Sequence, residues 1–105
     1  MVQMLSGAVD FDYLEGYAAG DLSVVREVLA LFVQQATSWE GALNLSDPGW
    51  RDTVHTIKGA ALGVGARQLG HICAEAEVQS APDLSGVTSA LGAAVADILA
   101  YRSRG

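Results

Sequence analysis

The feature that most constrains the fold of this chain is the spacing of its apolar residues, which recur every three or four positions. This spacing places them along one face of an α-helix, whereas a half-buried strand would need alternation, and the sequence has no strand-like alternation of any length. The sequence therefore predicts an all-α fold. Its clearest stripe predicts a helix over about residues 22–45 and consists of Leu22, Val25, Leu29, Phe32, Val33, Ala36 and Leu43.

Turn and capping residues divide the rest of the chain into further helices. Gly20 and Asp21 should end a short first helix over about residues 10–19 and cap the second helix. A Ser-Asp-Pro-Gly break then starts a third helix. The remaining predicted features are a bend at Gly63 and Gly65, a continuation over 66–79, a turn around Pro82 and a last helix over about 85–102.

Short connections between long helices make sequential neighbours antiparallel, so we expect an antiparallel up-and-down four-helix bundle with a short extra N-terminal helix. The 105 residues are about the size of one small domain, and we treat 1–105 as a single domain. Half of the residues are apolar, which is enough to form a core. Outside the second helix, the expected core residues are Trp50, Val54, Ile57, Ala61, Val87, Leu91, Val95, Ile98 and Leu99.

Charge and hydropathy exclude several classes of partner. The net charge of −6 has the wrong sign for a protein that binds nucleic acid through its phosphates. The longest apolar runs are far shorter than the roughly 20 residues that span a bilayer, so we expect no membrane segment. The first residues contain no cationic leader, and the single Cys73 cannot form an internal disulfide, so the expected location is the cytoplasm.

The helical pattern places His55 outside the predicted core. With about 100° of rotation per residue, His55 lies roughly 130° from the centre of the apolar stripe of its helix, so its imidazole should face solvent. Its predicted neighbours on the helix surface are Arg51, Asp52, Lys58, Gly59 and Leu62.

These neighbours suit an imidazole that attacks phosphorus. An exposed histidine ordinarily has a pKa of about 6.5, so at neutral pH most of it is the neutral nucleophile. Lys58, one turn away, can offset the charge of a phosphoryl group on His55. Gly59 leaves room for a partner at a cost of about 1 kcal/mol of helix stability, although a close helix contact would also explain it. A lone exposed histidine is commonly only a solvated surface residue; the grouping favours a site.

This part of the sequence resembles the histidine-containing phosphotransfer (HPt) domain family. The likeness extends over about residues 10–100 and includes the Gly20-Asp21 start of the second helix. The chain departs from the family at Ala60 and Ala61, where many members have serine, so a hydroxyl hydrogen bond is lost there. The matching motif consists of His55, Ile57, Lys58, Gly59, Ala60, Ala61, Gly65, Ala66, Leu69, Cys73 and Glu77.

The resemblance implies a function for each matched position. His55 would be the phosphorylated residue, through Nε2, with Lys58 supporting the phosphate and Gly59 admitting a receiver domain. The chain would relay a phosphoryl group between receiver-domain aspartates, with response-regulator receivers and a hybrid histidine kinase as partners. It would be a monomeric phosphocarrier without an ATP site or cofactor of its own, because the Mg²⁺ would belong to the receiver.

The partner surface should surround His55 and be partly apolar. The exposed sides of the first helix and of the start of the second are candidates for this surface, because the large apolar residues there exceed what one short stripe can bury. The sequence leaves open which of them face the partner; they are Phe11, Tyr13, Leu14 and Tyr17. The candidate docking residues are Arg51, Leu62, Arg67, Leu14 and Tyr17.

Two other functions remain open at this point. One is a helical adaptor that binds receiver or kinase partners without phosphotransfer. The other is the dimerising histidine region of a sensor kinase, which normally takes two helices from each of two chains, whereas this chain supplies enough helices alone.

A metal site is not expected. His71 and Cys73 project about 200° apart on one helix, which favours a surface histidine and a core cysteine. Glu75 and Glu77 also point to different faces of that helix, and we assign them no chemistry.

Overall fold

The computed structural model describes residues 7–103, which form five helices and no strand. The all-α prediction is therefore confirmed. Residues 1–6 and 104–105 lie outside the described residues, and so does the beginning of the segment in which a leader was sought. The helices are α1 (Phe11–Tyr17), α2 (Leu22–Ala42), α3 (Trp50–Val64), α4 (Arg67–Glu77) and α5 (Ser85–Ser103).

Two aspartates set where the first helices begin. The Asp10 carboxylate accepts a hydrogen bond from the backbone N–H of Tyr13, which caps α1. Asp21 does the same for the N–H groups of Ser23 and Val24 at the start of α2. Such caps satisfy backbone donors that have no partner inside the helix, which explains why the sequence located both starts to within a residue.

Gly65 separates α3 from α4. Its φ of 83° lies in the left-handed region, and it caps the C-terminus of α3. A side chain there would bring Cβ to 2.8 Å from the carbonyl oxygen of Asp10. The Gly65 carbonyl also accepts a hydrogen bond from the Asp10 N–H at 2.9 Å. The predicted bend is therefore a complete helix break, which lets the chain reverse.

The four long helices form a ring in which α3 and α5 each pack against both α2 and α4. The contacts between α3 and α4 show their antiparallel register. His55, early in α3, contacts Glu77 at the end of α4, while Leu62, late in α3, lies against Gly70. The short α1 packs against α2 and α3 at the end of the bundle where α3 gives way to α4. This is the predicted four-helix bundle with its extra helix.

The core follows the predicted stripes, with two exceptions. Leu22 and Leu99 are 47% and 49% exposed, although the spacing predicted burial. Leu22 is the first residue of α2, and Leu99 lies about 100° around α5 from the buried Ile98, so both lie beyond the apolar face. The largest fully buried side chains are Leu29, Ile57, Leu69, Leu91, Ile98, Val25, Val54, Val87 and Cys73.

Three contacts fasten the N-terminal part of the chain to α5. The Phe11 ring stacks on Tyr101 with 4.2 Å between centroids, and the Tyr101 hydroxyl donates to Glu15 at 2.6 Å. The buried Asp97 accepts a hydrogen bond from the backbone N–H of Ala8 at 2.9 Å.

Across residues 7–103, no helix combines the length and the apolar composition that crossing a membrane would require.

Candidate functional site

His55 lies in the first half of α3 with its side chain 69% exposed. Its neighbours Val54 and Ile57 are fully buried, so the helix turns its apolar stripe inward and the imidazole outward. The helical spacing predicts this placement. Exposure makes the imidazole accessible to a partner of any size that can approach α3.

A carboxylate on α4 faces this imidazole. Both oxygens of Glu77 lie 3.2 Å from His55 Nδ1, and the Lys58 Nζ lies 2.9 Å from Glu77 Oε1. Lys58 and Glu77 are themselves only 27% and 19% exposed. The Glu77 carboxylate therefore accepts hydrogen bonds from both His55 and Lys58, which the sequence grouped on α3.

The sequence interpretation missed the contact between Glu77 and His55. It compared Glu77 only with Glu75 on the same helix and assigned it no chemistry. The partner of Glu77 is on the antiparallel neighbour, 22 residues earlier in the chain, because the end of α4 lies beside the first half of α3. The acidic position that ends the matched motif was the one signal in the sequence that pointed to this residue.

The carboxylate decides which imidazole nitrogen has the lone pair. A hydrogen bond from Lys58, and a second one from His55, lower the pKa of Glu77 below its ordinary value, so the side chain is ionised at neutral pH. An ionised carboxylate only accepts hydrogen bonds. Nδ1 of the neutral imidazole must therefore be the N–H donor, which leaves the lone pair on Nε2.

The surface beside His55 is open at Gly59. A Cβ built on Gly59 would meet no atom within 4 Å, so a close helix contact does not explain this glycine. Leu62, one turn further along α3, is 52% exposed. Its other side packs against Gly70, where a Cβ would lie 2.8 Å from Leu62 Cδ2. The patch next to the imidazole is therefore open at Gly59 and partly apolar at Leu62.

The two residues of α1 proposed for docking have opposite environments. Tyr17 is 81% exposed, and its ring lies near that of Tyr13 on the outer face of the helix. Leu14 is only 3% exposed, so its assignment to the docking surface is wrong. The reason is that Phe11 and Leu14, three residues apart, form the buried stripe of α1, while Tyr13 and Tyr17, four residues apart, lie on its exposed side.

The two candidate arginines also differ. Arg67 is 69% exposed, lies 3.2 Å from the Asp10 carboxylate and approaches the Tyr13 ring, so it belongs to an accessible surface. Arg51 instead reaches from α3 to the end of α4, where its guanidinium donates to the backbone carbonyls of Glu77 and Gln79. The structure thus shows Arg51 engaged within the protein.

His71 and Cys73 do not converge. The Cys73 side chain is buried in the core, and burial, with a smaller effect of the nearby Glu77 carboxylate, raises the pKa of its thiol to about 11. His71 is exposed and pairs with Glu75 at 2.9 Å. Among residues 7–103, no three His, Cys, Asp or Glu side chains are grouped so that they could hold a metal ion.

Comparison with known proteins shows the family of this chain. The Hpt domain family matches residues 22–101. The chain belongs to the Hpt family. The crystal structure of the histidine phosphotransferase ShpA from Caulobacter crescentus is 56% identical, with 93% of each chain covered and a TM-score of 0.87. A comparison with curated proteins found no match. This Hpt protein is thus a phosphorelay component with the helical bundle of its family.

Proposed function

We propose that this Hpt protein carries a phosphoryl group between receiver-domain aspartates through His55. The observation that best supports this proposal is the hydrogen bond between His55 Nδ1 and the ionised Glu77, because it leaves the lone pair of an exposed imidazole on Nε2. That lone pair attacks the phosphorus of a phosphorylated receiver aspartate. The N–P bond forms, the P–O bond to the aspartate breaks, and the aspartate leaves as a carboxylate.

Glu77 and Lys58 have complementary tasks in this transfer. The Nδ1 proton stays on the imidazole and keeps its hydrogen bond to Glu77, so the phosphorylated ring gains an opposing charge nearby. Lys58 lies one helical turn from His55 and provides the cation that offsets the phosphoryl charge. The rest of the transfer site, including the expected Mg²⁺, would belong to the receiver, and catalysis would depend on in-line positioning across the interface.

Receiver domains and a hybrid histidine kinase are the proposed partners. A receiver could approach His55 over the open Gly59 and the exposed Leu62. Tyr17 of α1, which is also exposed, is a further proposed contact. Arg67, the first residue of α4, would meet acidic groups around the receiver aspartate and affect the association rate more than the affinity. A monomer in the cytoplasm, as expected from the sequence, suits a carrier that must meet two partners in turn.

The test is transfer from a phosphorylated receiver domain, followed by intact mass and by treatment of the product with acid and with alkali. We expect acid-labile, alkali-stable label on the wild type and none on His55→Gln. His71→Gln is the matched control, because it removes the other histidine, which is exposed and paired with Glu75. Binding of receivers without label on the wild type would overturn the proposal and favour the adaptor.

A further inference from the structure

We propose that Arg51 is a positioning residue, which holds Glu77 in place so that Glu77 orients His55. This inference rests on the proposed function of His55. The sequence placed Arg51 on the docking surface, but the structure directs its side chain to the end of α4.

Arg51 compensates for a weakness at the end of α4. The last carbonyl groups of a helix have no partner within the helix. Glu77 is the final residue of α4, and it is followed by Val78, which is 85% exposed. The Arg51 guanidinium donates from Nη1 to the Glu77 carbonyl and from Nη2 to the Gln79 carbonyl at 3.1 Å. These hydrogen bonds restrain the backbone of Glu77, whose side chain contacts the imidazole of His55.

Residues of one stretch of α3 bind both the main chain and the side chain of Glu77. Arg51 precedes His55 by one helical turn and binds the main chain of Glu77, whereas His55 and Lys58 bind its carboxylate. The guanidinium is itself held over the Trp50 ring, 4.4 Å from its centroid. A planar guanidinium is suited to two fixed acceptors at once, which a lysine ammonium cannot engage in the same geometry.

The hydrogen bond to Glu77 favours the proton on His55 Nδ1. The hydrogen bonds of Arg51 to the backbone of Glu77 should therefore influence the tautomer of His55. If Arg51 is removed, the end of α4 can move, the contact between Glu77 and Nδ1 weakens, and more of the imidazole places its proton on Nε2. That tautomer has no lone pair on the proposed attacking nitrogen. A purely docking arginine would leave the tautomer unchanged and alter only the dependence on receiver concentration.

The experiment measures the tautomer of neutral His55 by long-range ¹H–¹⁵N correlation and, separately, single-turnover transfer at saturating phosphorylated receiver. Arg51→Met should lower the Nδ1–H population and slow transfer between about two- and fivefold, the range for one weakened hydrogen bond. Arg51→Lys should be intermediate. Arg102→Met, near the end of α5, removes the same charge away from the site and should match the wild type.

A double-variant comparison shows whether Arg51 acts through Glu77. In a Glu77→Ala background, Arg51→Met should have no further effect on the tautomer or on the saturated rate, because the group it positions is gone. An undiminished effect in that background would overturn the proposal, as would an unchanged tautomer and saturated rate in the single variant. Thermal unfolding of each variant separates these effects from loss of fold.

The failure of the proposed function would be visible independently. The tautomer is measured on the unphosphorylated protein, so it does not require His55 to accept phosphate. If the wild type takes no label while its tautomer responds to Arg51→Met, the relay is wrong and the orientation of His55 by Arg51 stands.

Discussion

Glu77→Ala should slow phosphoryl acceptance by up to about fivefold and leave the bundle folded. The substitution removes the acceptor for His55 Nδ1, a partly exposed hydrogen bond at 3.2 Å that we value at about 1 kcal/mol. A free energy of that size changes the ratio of the two His55 tautomers about fivefold, since about 1.4 kcal/mol corresponds to a factor of ten. The Lys58 pair is also lost, but pairs near the surface contribute at most about 1 kcal/mol to stability.

Glu77→Gln separates hydrogen bonding from charge. The glutamine side-chain oxygen can still accept the Nδ1 proton, so this variant should transfer at close to the wild-type rate. Glu75→Ala is the matched control, because it removes a carboxylate two residues away whose partner is His71. The assay is single-turnover transfer from a phosphorylated receiver, with thermal unfolding measured beside it.

Two results would refute this reasoning. If Glu77→Ala accepted phosphate as fast as the wild type, the carboxylate would have no part in presenting Nε2. If Glu77→Gln were as slow as Glu77→Ala, the charge of Glu77 and not its acceptor oxygen would be the feature that matters.

Other substitutions and pH provide further tests. Lys58→Ala should shorten the lifetime of the phosphorylated form or slow transfer, with Lys58→Arg as the charge-preserving control. In urea unfolding, Gly65→Ala should destabilise by about 1–3 kcal/mol because of its positive φ and the Asp10 carbonyl, whereas Gly59→Ala should stabilise by up to about 1 kcal/mol. Because the pKa of Glu77 is lowered in the folded protein, its stabilising contribution is complete above the ordinary value of 4.5 and is lost as the pH falls through the lower folded value. Glu77→Gln should therefore lose less stability than the wild type between neutral and acidic pH.

The sequence predicted those features that depend on local periodicity and capping. The α2 stripe and the Asp21 cap follow from the chemistry of nearby residues. Both predicted ends of α2 therefore lie within a few residues of the observed ends. The outward direction of His55 follows in the same way, because the buried Val54 and Ile57, one and two residues away, lie about 100° and 200° around the helix from it.

The features that the sequence did not reveal depend on how two helices are aligned. Glu77 approaches His55 only because α3 and α4 are antiparallel in one particular register, and no helical wheel of α4 alone contains that information. The partners of Arg51 were missed for the same reason, since they are backbone carbonyls at and just beyond the end of another helix. Leu14 was misplaced because a seven-residue helix has too few positions to show which of two stripes is buried.

The most direct measurement is the identity of the phosphorylated nitrogen in the ¹⁵N-labelled protein after transfer from a receiver, determined by long-range ¹H–¹⁵N correlation. The account predicts a phosphoryl group on Nε2 of His55 with the proton retained on Nδ1, facing Glu77. Phosphorylation at Nδ1 of His55, or at His71, would contradict it.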